Sequence, residues 1–119
     1  MRMYHGNYES AMVLHPGLCL TDDDDAARDY GRPGIASDGW LHELDLDIDA
    51  AGLVILEVAG YDHDANEAAG DYGDGSGADI LIFADETDAA RRHDTWRLMT
   101  PAALAACTVI SSTSEKWEY

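Results

Sequence analysis

Residues 40–49 read W-L-H-E-L-D-L-D-I-D. Leu44, Leu46 and Ile48 alternate with Asp45, Asp47 and Asp49. A strand sends successive side chains to opposite faces, so period two puts the apolar set on a buried face and the aspartates in water. A helix cannot separate these two sets. A half-buried strand also needs a second layer to cover it, so the rest of the chain must supply one. Ala50-Ala51-Gly52 reads as the turn that follows, and L-V-I-L-E-V (53–58) as a buried strand beyond it.

The remaining elements are short. R-M-Y-H (2–5) and G-L-C-L-T (17–21) read as strands. T-D-D-D-D-A-A-R-D-Y-G (21–31) reads as a helix. Thr21 or Asp22 serves as its N-cap, first-turn carboxylates complement the helix dipole, and Gly31 closes it. Residues 31–39 and 59–78 are loops by their glycine content, the second with one helical turn near 64–69. A-D-I-L-I-F-A (78–84) is a strand, 85–94 a long polar hairpin loop and T-W-R-L-M (95–99) its return. Pro101 opens a short helix, C-T-V-I-S-S (107–112) is the last strand, and Trp117 packs the tail. The sum is a single α+β domain over residues 1–119, with mostly antiparallel short strands in a split or two-sheet core and two small helices.

Charge narrows the partners. Twenty-four Asp and Glu against seven Lys and Arg give −17. A chain of this size exposes roughly 6,300 Å², or one net negative charge per ~370 Å². Such a surface repels nucleic acid and anionic lipid and attracts basic proteins. No apolar run is long enough to span a membrane and no secretory leader is evident, so a cytoplasmic protein is expected. Cys19 and Cys107 read as small core residues of a reducing compartment.

Metal motifs fail on inspection. D-H-D-A-N-E (62–67) starts like a calcium loop, but Glu67 stands where glycine is required and Gly73 where the bidentate glutamate belongs. The five histidines and two cysteines show no zinc spacing. G-D-Y-G-D-G-S-G (70–77) lacks the Gly-Lys-Ser/Thr ending of a phosphate loop.

A different set recurs in order along the chain: Tyr4-His5-Gly6-Asn7-Tyr8, then Gly17-Leu18-Cys19, then a helix carrying Ala27 and Tyr30. The strand I-L-I-F then runs into Asp85-Glu86, followed by Asp94-Thr95-Trp96. This order resembles the ADP-ribosyltransferase superfamily. Its members open on a strand ending His-Gly, continue with a Gly-Leu strand and an Ala-x-x-Tyr helix, and carry a carboxylate at the end of a late strand. Among them the chain resembles small phage anti-CRISPR transferases that act on type I-F surveillance complexes. Asn7 stands where Ser or Thr is usual, and Cys19 where an aromatic often stands.

The resemblance implies NAD as cofactor and an ADP-ribosyltransferase-like fold. It assigns the catalytic carboxylate to Asp85 or Glu86, with His5 bonded to a ribose hydroxyl. Gly6 lets the cofactor approach the backbone, Leu20 and Thr21 line the nicotinamide pocket, and Tyr30 is a lid or a core residue. Two NAD phosphates on so acidic a chain need a nearby cation. Arg2 is the first candidate, with Arg28, Arg32 and Arg91 behind it. The implied partner is a basic nucleic-acid-binding protein such as a CRISPR surveillance subunit, in a bacterial or archaeal host. The alternative is a non-catalytic DNA mimic, in which the acids at 21–25, 41–49 and 62–79 occupy a partner's positive groove.

Overall fold

A computed structural model describes residues 1–32, 38–58, 78–87 and 90–115. Among these residues, seven strands and two helices follow one another as β1 (Arg2–Asn7), β2 (Leu18–Leu20), α1 (Asp24–Tyr30), β3 (Gly39–Leu46), β4 (Ile55–Glu57), β5 (Ile80–Glu86), β6 (Arg92–Leu98), α2 (Pro101–Ala105) and β7 (Cys107–Glu115). They form two sheets, ordered β1-β3-β7 and β2-β6-β5-β4. All pairings are antiparallel except β4 with β5. Among the described residues, the α+β, two-sheet, two-helix expectation matches this architecture. The helical turn near 64–69, the 62–67 and 70–77 motifs and Trp117 lie outside the described residues.

The core lies between the sheets. Met3, Leu44 and Leu46 of the first sheet meet Leu18, Leu20, Ile80 and Leu98 of the second, with Ala103 of α2 and Cys107 of β7. The alternation along residues 44–47 places Leu44 and Leu46 fully inside and leaves Asp45 and Asp47 exposed. The strand ends at Leu46, however, and Ile48 is exposed. Asp47 turns the chain there by accepting a bond from the Asp49 amide (3.1 Å).

Three expectations change. Residues 53–58 were expected as a buried strand, but only Ile55–Glu57 pair, at the outer edge of the second sheet. Val54 and Ile55 are 50% and 36% exposed, because an edge strand lacks a neighbour on one side. The hairpin loop expected at 85–94 shrinks, since Asp85 pairs with His93 and Glu86 with Arg92. Its polar sequence hid two strand ends that carry no apolar alternation. Finally, the N-cap of α1 is Asp23, whose carboxylate accepts from the Asp25 and Ala26 amides. Thr21 instead accepts from the Asp23 amide (3.2 Å), one step upstream of the helix.

Gly31 does cap α1, but for a packing reason. Its φ of −95° suits any residue. A Cβ there would lie 2.6 Å from the Trp40 carbonyl oxygen and 3.0 Å from the Asn7 nitrogen. Gly6 is tighter still: a Cβ on it would sit 1.7 Å from the Ala27 carbonyl oxygen. Two glycines thus let the end of α1 lie directly on β1.

Candidate active site

The two sheets are stitched at one point. Tyr4 and Thr21 exchange backbone hydrogen bonds of 2.7 and 3.0 Å, joining β1 to the residue after β2. A cleft of about 450 Å³ opens at this junction, within the usual range of small-molecule sites. Its lining includes His5, Gly6, Leu20, Thr21, Tyr30 and Asp85, together with Asn7, Cys19, His93 and Arg97. Residues named from four separate parts of the sequence therefore meet in one place.

On the β1 side the polar groups are held fast. The Cys19 carbonyl accepts from His5 Nδ1 at 2.7 Å, which leaves Nε2 as the acceptor. Burial is the main reason that His5 is held below the ordinary histidine range, and the neighbouring His42 and His15 push the same way. His42, fully buried, sits beside it with ring centroids 6.3 Å apart. Asn7 Oδ1 accepts from the Glu9 amide (3.1 Å) and from His42 Nε2 (2.8 Å). His42 Nδ1 then accepts from the Ser112 hydroxyl (2.7 Å). Desolvation keeps His42, too, on the neutral side of its usual range.

The opposite side comes from β5, β6 and the end of α1. Asp85 lines the cleft half-buried, whereas Glu86 is exposed and is not part of the lining. Strand alternation can turn only one of two successive residues inward, and here it is Asp85. The Tyr30 hydroxyl reaches both His93 Nε2 (2.8 Å) and Asp85 Oδ2 (3.5 Å), and its ring meets the His93 ring edge-on. Asp29, the residue before, accepts from Thr87 Oγ1 (2.9 Å) and Arg91 Nε (3.2 Å). These bonds tie α1 to the β5–β6 turn and hold Tyr30 over the cleft.

Gly6 and the arginines differ from expectation. Gly6 lines the cleft, but the close approach it permits is that of α1, and the helix already fills the space its missing Cβ leaves. Arg2 is not in the cleft: it donates to Glu43 at 2.6 Å across the paired strands. Arg28 pairs with Asp24 and Asp25, and Arg91 with Asp29. The arginine that lines the cleft is Arg97, set between Cys19 Sγ (3.4 Å from its Nε) and the Phe83 ring (4.8 Å to the centroid).

Sequence reasoning missed Arg97, His93 and His42. His42 carried a usable signal, being in phase with Leu44 and Leu46 on the buried face of an alternating strand. His93 and Arg97 carried none, since their importance arises from pairings with Tyr30 and Cys19 far away in sequence.

Among the described residues, no helix is long and apolar enough to cross a membrane. No family model, curated protein or solved structure matches this chain.

Proposed function

We propose that the chain has an ADP-ribosyltransferase-like fold and is a mono-ADP-ribosyltransferase. It uses NAD in this cleft and modifies a basic nucleic-acid-binding protein, of which a CRISPR surveillance subunit attacked by a phage inhibitor is the fitting case. The supporting observation is the convergence of His5, Leu20, Thr21, Tyr30 and Asp85 on one cleft. Cleavage of the bond between nicotinamide and ribose builds positive charge on the ribose. A fixed carboxylate beside it, Asp85, lowers the energy of that charge. His5 Nε2 accepts from a ribose hydroxyl, Leu20 and Thr21 bound the nicotinamide, and Arg97 offers the nearby cation that a diphosphate needs.

The charge of −17 supports the partner class, since it steers the chain to positive surfaces. The same charge supports the alternative of a DNA mimic that binds without consuming NAD.

Calorimetric titration with NAD, on the wild type and on His5→Ala, tests the reading. Wild-type binding weakened by about tenfold in His5→Ala, the worth of one good hydrogen bond, is the expected result. No binding to the wild type at millimolar NAD overturns it.

A further inference from the structure

The cleft holds a second polar device that the carboxylate chemistry does not use. His93 is 9% exposed, and its Nδ1 lies 3.2 Å from its neighbour's carbonyl at Asp94 and 3.4 Å from Thr95 Oγ1. A carbonyl can only accept, so Nδ1 carries the proton and Nε2 is a bare acceptor. The donor aimed at it, at 2.8 Å, is the Tyr30 hydroxyl. Tyr30 is itself 41% exposed and lines the cleft, while the base behind it is shielded. The Asp85 carboxylate lies 3.5 Å from the same oxygen. The groups facing His93 are thus Tyr30 from α1, Asp85 from β5, and Thr95 on its own strand, with Arg97 further along that strand in the same cleft.

We propose that Tyr30 and His93 form a proton relay for the group that attacks the ribose, and that this acceptor is a hydroxyl. This rests on the transferase reading of the cleft. As the bond between the anomeric carbon and nicotinamide breaks, nicotinamide leaves neutral with the bonding electron pair. The acceptor oxygen bonds to the anomeric carbon and gives its proton to the Tyr30 oxygen. Tyr30 passes its own proton to His93 Nε2, and His93 ends as imidazolium beside the Asp85 carboxylate. Tyr30 touches the reacting atoms; His93 acts through it as a positioning residue that stores the proton.

The acceptor class follows from the same chemistry. A carboxylate acceptor has no proton to give and is repelled by Asp85. A guanidinium holds its proton too tightly for an imidazole to take. A neutral hydroxyl gains most from a relay of this kind.

The test measures NAD binding by calorimetry and nicotinamide release, with water, methanol and azide as acceptors, for the wild type, Tyr30→Phe and His93→Gln. Azide needs no deprotonation. In the expected result both variants bind NAD as the wild type does. Release with water or methanol falls roughly 100-fold, the ordinary contribution of a general base. Azide brings both variants to wild-type rates. Release that is unchanged in the variants, or equally slow with azide, overturns the relay and leaves the transferase reading intact. A wild type that fails to bind NAD, or binds it and releases no nicotinamide even with azide, overturns both.

Discussion

The two sides of the cleft solve different problems. On the β1 side, His5, His42 and Asn7 each have assigned hydrogen-bond partners, and burial holds both rings neutral. On the β5–β6 side, one tyrosine hydroxyl is shared between a histidine and a carboxylate. The first arrangement has no proton to move and fixes a shape. The second has a proton with two places to go. The difference suggests a division of labour, in which one side binds and the other reacts. It can be broken by finding a binding residue whose loss slows only turnover, or the reverse.

The largest effect expected is at Asp85. Asp85→Asn keeps the side chain's shape and removes its charge, so turnover should fall about 100- to 1,000-fold, or ~2.7–4 kcal/mol of transition-state stabilisation. Folding stability should stay within about 0.5 kcal/mol, as for other partly exposed positions. The substitution changes one of 24 acidic residues, so binding to a basic partner should barely move. If inhibition of a basic target survives Asp85→Asn in full, the DNA-mimic reading replaces the transferase reading.

Next is the joint that sets the two sides at their spacing. Gly6→Ala would drive a Cβ against the Ala27 oxygen and the Gly31 nitrogen, both backbone atoms that cannot rotate away. Helix α1 must then lift from β1, at about 3 kcal/mol, the upper end of ordinary overpacking costs. Urea unfolding reads the loss. Because Tyr30 ends that helix, the Tyr30–His93 bond should loosen as well. A stable Gly6→Ala with normal turnover would show that the two sides do not depend on this crossing.

His42→Ala separates shape from chemistry at a site that touches neither cofactor nor acceptor. It empties a fully buried position and strips partners from Asn7 and Ser112. A loss of roughly 2–3 kcal/mol is expected from cavity and unpaired polar groups together. Through Asn7, NAD affinity should weaken while the turnover of bound NAD holds. Turnover that falls with affinity unchanged would contradict the proposed division of labour.

The two sides also differed in how far the sequence revealed them. The β1 side is written locally: His5-Gly6 are adjacent, and His42 keeps phase with Leu44 and Leu46 on the same strand. Asp85 or Glu86 was named through the resemblance, at the end of an apolar run, and Tyr30 through the same resemblance. His93 and Arg97, on the same side, were not found. Residues 85–94 look like a polar loop because Arg92, His93 and Asp94 carry no apolar alternation; their strand character comes from pairing with Ala84, Asp85 and Glu86. Tyr30 meets His93 across 63 residues, held there by Asp29 bonding to Thr87 and Arg91. Such contacts exist only after folding. The same holds for Gly6, whose neighbour in space is a helix carbonyl that the local sequence does not announce.

The smallest effects are in pH dependence, and they sharpen the comparison most finely. His5 and His42 are held below their ordinary value of 6.5 by burial, so as pH falls through 6.5 the unfolded chain takes up protons that the folded chain refuses. Stability therefore drops as pH falls from 6.5 toward the folded values. Asp79 sits elsewhere and acts lower. The Thr100 hydroxyl and the Val54 amide donate to its carboxylate and hold it below its ordinary 3.8, against a small desolvation cost. Its contribution is complete above 3.8 and lost as pH falls through the folded value. Urea midpoints measured against pH should thus show two steps. His5→Gln combined with His42→Gln should remove the upper step and keep the lower; Asp79→Asn should do the opposite. If the upper step survives the double histidine variant, burial of these two rings is not its source. The neutral character assigned to the β1 side would then fail.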